Sequence, residues 1–346
     1  MIWLTWRQSR GGVLTMAALL AVLAVILGVT GPSLAHDYSA GLAACGSGGD
    51  CSAFLEQFFD DSFAPFLAVT AVMLVLPALI GVFWGAPLIA RELEAGTHRL
   101  VWNQSITRTR WLAVKLGLTA LAAMTVAGLG SLAVTWWASP IDSAADFPRM
   151  EPLSFAARGI VPVGYTVFAF ALGVTVGMLV RHTLPAMAIT LAVFVAVQIA
   201  VPLMVRPHLL PPTRSTIEIT ESNVSRFIRA NDDLLVEANV ASADAWVLSS
   251  HIRDASGHAV AVISMPSTSG PCASPPPDAE EHADPGDDPY VAACLAEIQR
   301  LGYRQQTTYH PSSRFWPFQW YEAGIYTALA LGLAGFSAWR IRRLPA

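Results

Sequence analysis

Three small groups of residues carry the chemistry this chain could do. The first is its four cysteines, Cys45, Cys51, Cys272 and Cys294. An even number suits disulfides in an oxidising compartment, and four cysteines allow three pairings. The local pairs Cys45–Cys51 and Cys272–Cys294 are favoured, because the Gly-Ser-Gly-Gly between the first two is flexible enough to close on itself. Metal binding is the rival chemistry, with His36 nearby. The spacing matches no zinc pattern, so no metal is expected. The second group is Glu92, Glu94, Gly96 and Thr97, in the stretch Ala90-Arg-Glu-Leu-Glu-Ala-Gly-Thr97. A glycine can end a helix there and a threonine can cap the next one. The third is Trp3, Trp6, Arg7 and Arg10, at helical spacing. Tryptophan prefers the membrane interface and arginine prefers anionic headgroups.

Other chemistry is missing. There is no G-x-x-x-x-G-K-[ST], no H-E-x-x-H and no G-x-S-x-G, and the eight histidines are scattered. No catalytic residue and no cofactor is expected. Charged residues are only 13% of the chain and apolar residues 54%, which argues against a nucleic-acid partner.

These groups need elements to position them, and the uncharged runs supply those. Residues 11–35, 62–90, 116–141, 159–180 and 183–205 contain no Asp, Glu, Lys or Arg, and 323–339 is a shorter run of the same kind. A spanning helix needs about 20 mostly apolar residues. Lipid offers no hydrogen bonds, so such segments must be helical. Six spans are predicted, near 13–31, 66–88, 114–137, 159–180, 183–204 and 322–340. The expected fold is an all-α polytopic membrane protein with an extracytoplasmic α/β or irregular insertion between spans five and six. The run 11–35 is read as a span and not as a cleavable leader. Gln198 is the most polar residue deep in any span, and no polar cluster is evident near an interface. Gly81/Gly85 and Gly173/Gly177 each give G-x-x-x-G and are read as packing surfaces. Pro77 is expected to kink span two.

Charge sets the orientation. With an even number of spans, one side holds both termini, eleven cations and only Glu92 and Glu94 as acids; the other holds ten arginines and twenty-three acids. Cations near span ends mark the cytoplasm. The termini, the 89–113 loop and the 181–182 turn are therefore expected inside the plasma membrane, and all four cysteines outside. The expected parts are an interfacial helix over 1–12, spans one to five over 13–205, an outer domain over 206–320, and a last span with a basic tail over 321–346. Within the outer domain, Ser225–Glu237 reads as a helix, Ala259–Ile263 as a strand and Tyr290–Tyr303 as a helix. Residues 266–289 read as a solvated linker. Five aromatics in Phe315–Tyr321 read as an outer interfacial belt.

The Glu-x-Glu-x-Gly-Thr pattern after span two resembles the permease subunits of type-2 ABC exporters. So do the Arg-rich turn and Lys115 that follow, the six-span layout and the N-terminal Trp/Arg helix. The stretch Tyr309–Glu322 is similar to a subgroup common in actinobacteria with a large outer insertion before the last span. The resemblance implies a transport subunit that is not itself an enzyme, a separate ABC ATPase, and a second permease copy or paralogue as dimer partner. It also implies docking through 89–113, with Glu92, Glu94, Gly96 and Thr97 coupling to the ATPase. Apolar spans suit export of a lipidic, amphipathic or peptide substrate. The alternative is a membrane-anchored extracytoplasmic sensor or binding protein, for which six spans are excessive.

Overall fold

The computed structural model describes residues 2–45, 51–96, 108–144, 149–220, 223–230, 233–238, 245–266, 269–273 and 289–343. The chain divides into two compact units, Met1–Leu209 with Phe315–Ala346, and Leu210–Arg314.

The first unit is helical. Helix α1, Ile2–Cys45, runs 44 residues without a break and passes through Pro32. No boundary separates 2–12 from span one. At about 1.5 Å per residue α1 is about 66 Å long, twice what a bilayer core needs. Helix α2, Ser52–Ile80, begins 14 residues before the predicted start of span two. The described residues between the predicted spans one and two are therefore helical and extend both helices. The Cys45–Cys51 disulfide links the end of α1 to the start of α2. Tyr38 and Phe54 pack their rings on Phe58, at 5.5 and 5.9 Å. Gly41 lies against the Phe54 ring so closely that a Cβ would fall inside it.

Span two continues from α2 through a π turn, Gly81–Gly85, into α3, Ala86–Glu94. Next come α4, Arg108–Trp137, and two short helices, α5 (Ser139–Ala144) and α6 (Pro152–Ala157). Helix α7, Val161–Val180, sits at the centre of this unit with most of its side chains buried. Helix α8, Thr183–Ala200, ends in a second π turn, Val201–Val205. Five helices among the described residues are long and apolar enough to cross a membrane: Ala18–Cys45, Ala53–Glu94, Arg110–Trp137, Val161–Val180 and Thr183–His208. The expected sixth span falls within the last helix, Phe315–Arg342.

Helix α7 is held by its glycines. A Cβ on Gly81 would sit 2.7 Å from the Ala169 carbonyl oxygen, and one on Gly85 would sit 2.6 Å from that of Phe170. Gly173 and Gly177 face back onto Gly81, Ala86 and Ala90. The two G-x-x-x-G motifs thus pack on each other, as small residues do where helix backbones approach closely.

The second unit is α+β. One sheet runs β1 (Thr213–Glu218), β7 (Arg304–His310), β4 (Trp246–Arg253), β5 (Ala259–Val260); the other runs β2 (Val224–Ala230), β3 (Asp233–Ala238), β6 (Ile263–Ser264). All the pairings are antiparallel. Helix α9, Pro289–Arg300, packs Cys294, Leu295 and Ile298 into the core with Ile219, Val236, Ile252 and Ile263. The Cys272–Cys294 disulfide lies in that core, so both favoured pairings are present. The helix expected over Ser225–Glu237 is a β-hairpin instead. Ala230 pairs with Asp233, the intervening Asn and Asp are residue types that favour a two-residue turn, and the apolar doublets mimic a helical period. The strand expected over Ala259–Ile263 splits into β5 and β6, in different sheets. The acidic run 278–288 lies outside the described residues. The first and last strands pair Thr213 with Tyr309, and Arg314 Nη1 donates to the Pro211 carbonyl oxygen at 2.5 Å. This unit closes on its own ends.

Candidate coupling site

Gly96 takes φ +68°, the left-handed conformation expected just beyond a helix end, and α3 stops there. One turn earlier, Glu92 forms an ion pair with Lys115 near the start of α4. Both side chains are largely buried, at 15% and 6% exposure. The Lys115 ammonium also lies 4.9 Å from the centre of the Trp111 ring, a cation–π contact. Glu94 points to another helix. Its Oε2 accepts the Thr183 N–H at 3.0 Å and the Thr183 hydroxyl at 2.7 Å, satisfying an otherwise unpartnered donor at the start of α8. His182, in the exposed turn, stands 3.8 Å from Glu94. Arg181 ends α7 with φ 61° and donates its N–H to the Gly177 carbonyl. The two glutamates expected to meet an ATPase therefore have partners in their own chain. Together they tie the end of span two to spans three and five. Thr97 and the rest of the loop to residue 107 lie outside the described residues. Trp3, Trp6, Arg7 and Arg10 are in the first turns of α1.

A second polar group escaped the sequence reading. Arg206 and Glu322 are fully buried, both at 0% side-chain exposure. Arg206 Nε donates to Glu322 Oε2 at 2.7 Å and Nη2 to Oε1 at 2.9 Å, a bidentate pair. The Tyr165 hydroxyl donates to Glu322 Oε1 at 2.5 Å, and the guanidinium lies 4.3 Å from the centre of the Phe155 ring. The π turn Val201–Val205 leads directly into Arg206, whose N–H bonds back to Val201. Gln319 supports the cluster. Its Oε1 accepts the N–H groups of Ile160 and Val161, both at 3.0 Å, and its Nε2 donates to the Phe155 carbonyl at 3.1 Å. A separate buried pair joins Arg158 to Asp142, at 2.5 and 2.6 Å, with Arg158 stacked over Phe66. The expectation of no polar cluster near an interface is thus corrected. The missed signal was two opposite charges, Arg206 and Glu322, each bordering an uncharged run on the same side. The distance of 116 residues between them hid the pairing.

Among the described residues no group of His, Cys, Asp and Glu could hold a metal ion. The arrangement offers helix-to-helix ties, and the buried acids and bases are already engaged with one another.

A family model described as ABC-2 membrane transporter related matches residues 17–206. No curated protein and no solved structure matches the chain. The match takes in spans one to five and both ties made by the glutamates, and covers more than half of the 346 residues. The chain therefore belongs to the ABC-2 membrane transporter related family, as a multi-pass permease component of an ABC transporter.

Proposed function

We propose that this chain is the permease subunit of an ATP-driven exporter of a lipidic, amphipathic or peptide substrate, working with a separate ATPase and a second permease copy. The sixth span, 322–340, lies within the helix Phe315–Arg342, and both termini and the 89–113 loop face the cytoplasm of a plasma-membrane protein. Leu210–Arg314 is the outer insertion. Trp3, Trp6, Arg7 and Arg10 anchor the inner end of span one.

One observation carries this reading beyond the family. Glu92 and Glu94 join the inner end of span two to spans three and five, so a force on the adjoining loop reaches three spans together. A partner that changes shape with ATP can shift a permease between states only through differential contact, and contact at this loop would act on all three spans. The glutamates act here as positioning residues; Thr97 and the residues after it make the contact.

The first test is co-purification in mild detergent, which should bring an ABC ATPase with the chain. In that complex, Glu94→Ala, and Glu92→Gln combined with Lys115→Met, should lower ATP hydrolysis toward that of the ATPase alone. A loss on the order of 5–10-fold is expected for a coupling of this kind. The second combination removes both charges, so no buried ion is stranded. Wild-type hydrolysis in both variants, at normal yield, would show the two ties to be structural only. Orientation has its own check. A membrane-impermeant maleimide applied to intact cells should label the cysteines only after reduction. Labelling of reduced, denatured chain only after the cells are made permeable would place them inside.

A further inference from the structure

Span two is not one regular helix. In the turn Gly81–Gly85, the Ala86 N–H reaches back five residues to the Gly81 carbonyl where an α-helix would reach back four. Such a turn holds one residue more than an α turn in the same place. Pro77, four residues upstream of Gly81, has no N–H to give and so loosens the ladder just above. The turn rests on Gly173. A Cβ there would lie 2.7 Å from the Ala86 nitrogen and closer still to the Gly81 oxygen, the two partners of the wide hydrogen bond. Only a glycine at 173 leaves room for it. Beyond the turn, α3 has nine residues and ends in the two glutamate ties. It meets α7 through Gly173 and Gly177, and a glycine surface interlocks few side chains.

We propose that Gly81–Gly85 is a register switch, passing between π and α winding and so advancing the inner segment of span two by one residue. An α turn takes up one residue fewer, so every later residue moves one place along. The place of Glu92 passes to Arg91, and that of Glu94 to Leu93. The segment turns by about 100° and extends inward by about 1.5 Å. Both ties release together, and Lys115 then meets a like charge. The π register is therefore the resting one, and a force on the inner loop drives the other. That drive rests on the permease reading above; the switch itself belongs to this chain and needs no partner to be seen.

The test uses paired thiols in the full-length chain. All four native cysteines are in disulfides, so introduced thiols react alone. One variant carries Glu92→Cys with Lys115→Cys, the other Arg91→Cys with Lys115→Cys, and each is treated with a short bifunctional thiosulfonate in detergent. The 92–115 link should dominate. Adding Gly173→Ala, whose methyl excludes the π turn, should reverse the preference in favour of 91–115. Deleting Phe83, an exposed residue of the turn, removes the extra residue; in the Gly173→Ala background it should restore the 92–115 link. If Gly173→Ala is made at normal yield and 92–115 still dominates, the switch is wrong. If Gly173→Ala lowers the yield, deletion of Phe83 must recover both yield and the 92–115 link; failure to do so overturns the proposal equally. A last arm adds Mg-ATP and orthovanadate to inside-out native vesicles, where the 91–115 link should rise. A reversal by Gly173→Ala with no response to ATP would leave the switch standing and count against the ATP-driven reading.

Discussion

Glu322→Ala is expected to cost the transmembrane unit about 3–5 kcal/mol, because it leaves Arg206 charged and sealed from water. The guanidinium would keep its contacts with Tyr165 and the Phe155 ring, neither of which carries a negative charge. Thermal unfolding in detergent and yield in the membrane fraction are the measurements. Glu322→Gln should lose less, since an amide still offers an acceptor. The combination of Arg206→Met with Glu322→Leu should be more stable than either charge-stripping single change, because it removes both ions from the low-dielectric site. Wild-type unfolding of Glu322→Ala would mean that water reaches Arg206 and that the pair is not the closed contact described.

Gly177→Val should be comparably damaging for a different reason. A Cβ at 177 would press on the Ala86 carbonyl oxygen, a backbone atom that cannot rotate away, and would lie 3.4 Å from the Ala90 methyl. Overpacking against flexible side chains costs about 1–3 kcal/mol, and a backbone obstacle puts this variant at or above the top of that range. Gly117→Val is the control: apart from its own helix backbone nothing lies within 4 Å of the added carbon, so its yield and unfolding temperature should stay close to the wild type. Equal behaviour of the two variants would remove the case for close backbone packing between spans two and four.

Much of this architecture could be read from the residues. Five spans follow from uncharged runs, because a helix that must satisfy its own backbone in lipid is written as a length of apolar sequence. The two disulfides follow from local spacing. The G-x-x-x-G pairs read as packing, and they do pack, although nothing in the sequence said on each other. What stayed hidden depends on contacts across long separations. Arg206 and Glu322 looked like ordinary span-end charges until the fold brought them together. Glu92 and Glu94 looked free because Lys115 and Thr183 lie on other helices. The β2–β3 hairpin is hard to read because Phe227-Ile228 and Leu234-Leu235 satisfy a helical spacing as readily as an alternating one, which leaves Asn231-Asp232 as the one local sign of a turn. Neither π turn has a sequence signature of its own, beyond the proline near each.

The Arg206–Glu322 pair also sets a timetable for biosynthesis. Glu322 is made 116 residues after Arg206. At about 5–20 residues per second, the ribosome needs roughly 6–23 s to deliver the acid after the base. Throughout that interval Arg206 is already made while Glu322, the carboxylate it pairs with in the fold, is not. A long arginine side chain can wait by reaching up to the headgroups, where water and phosphate receive it. Only when the helix Phe315–Arg342 arrives can Arg206 take its place between Glu322 and Tyr165, so the closing of this contact is the event that marks the nascent permease as finished.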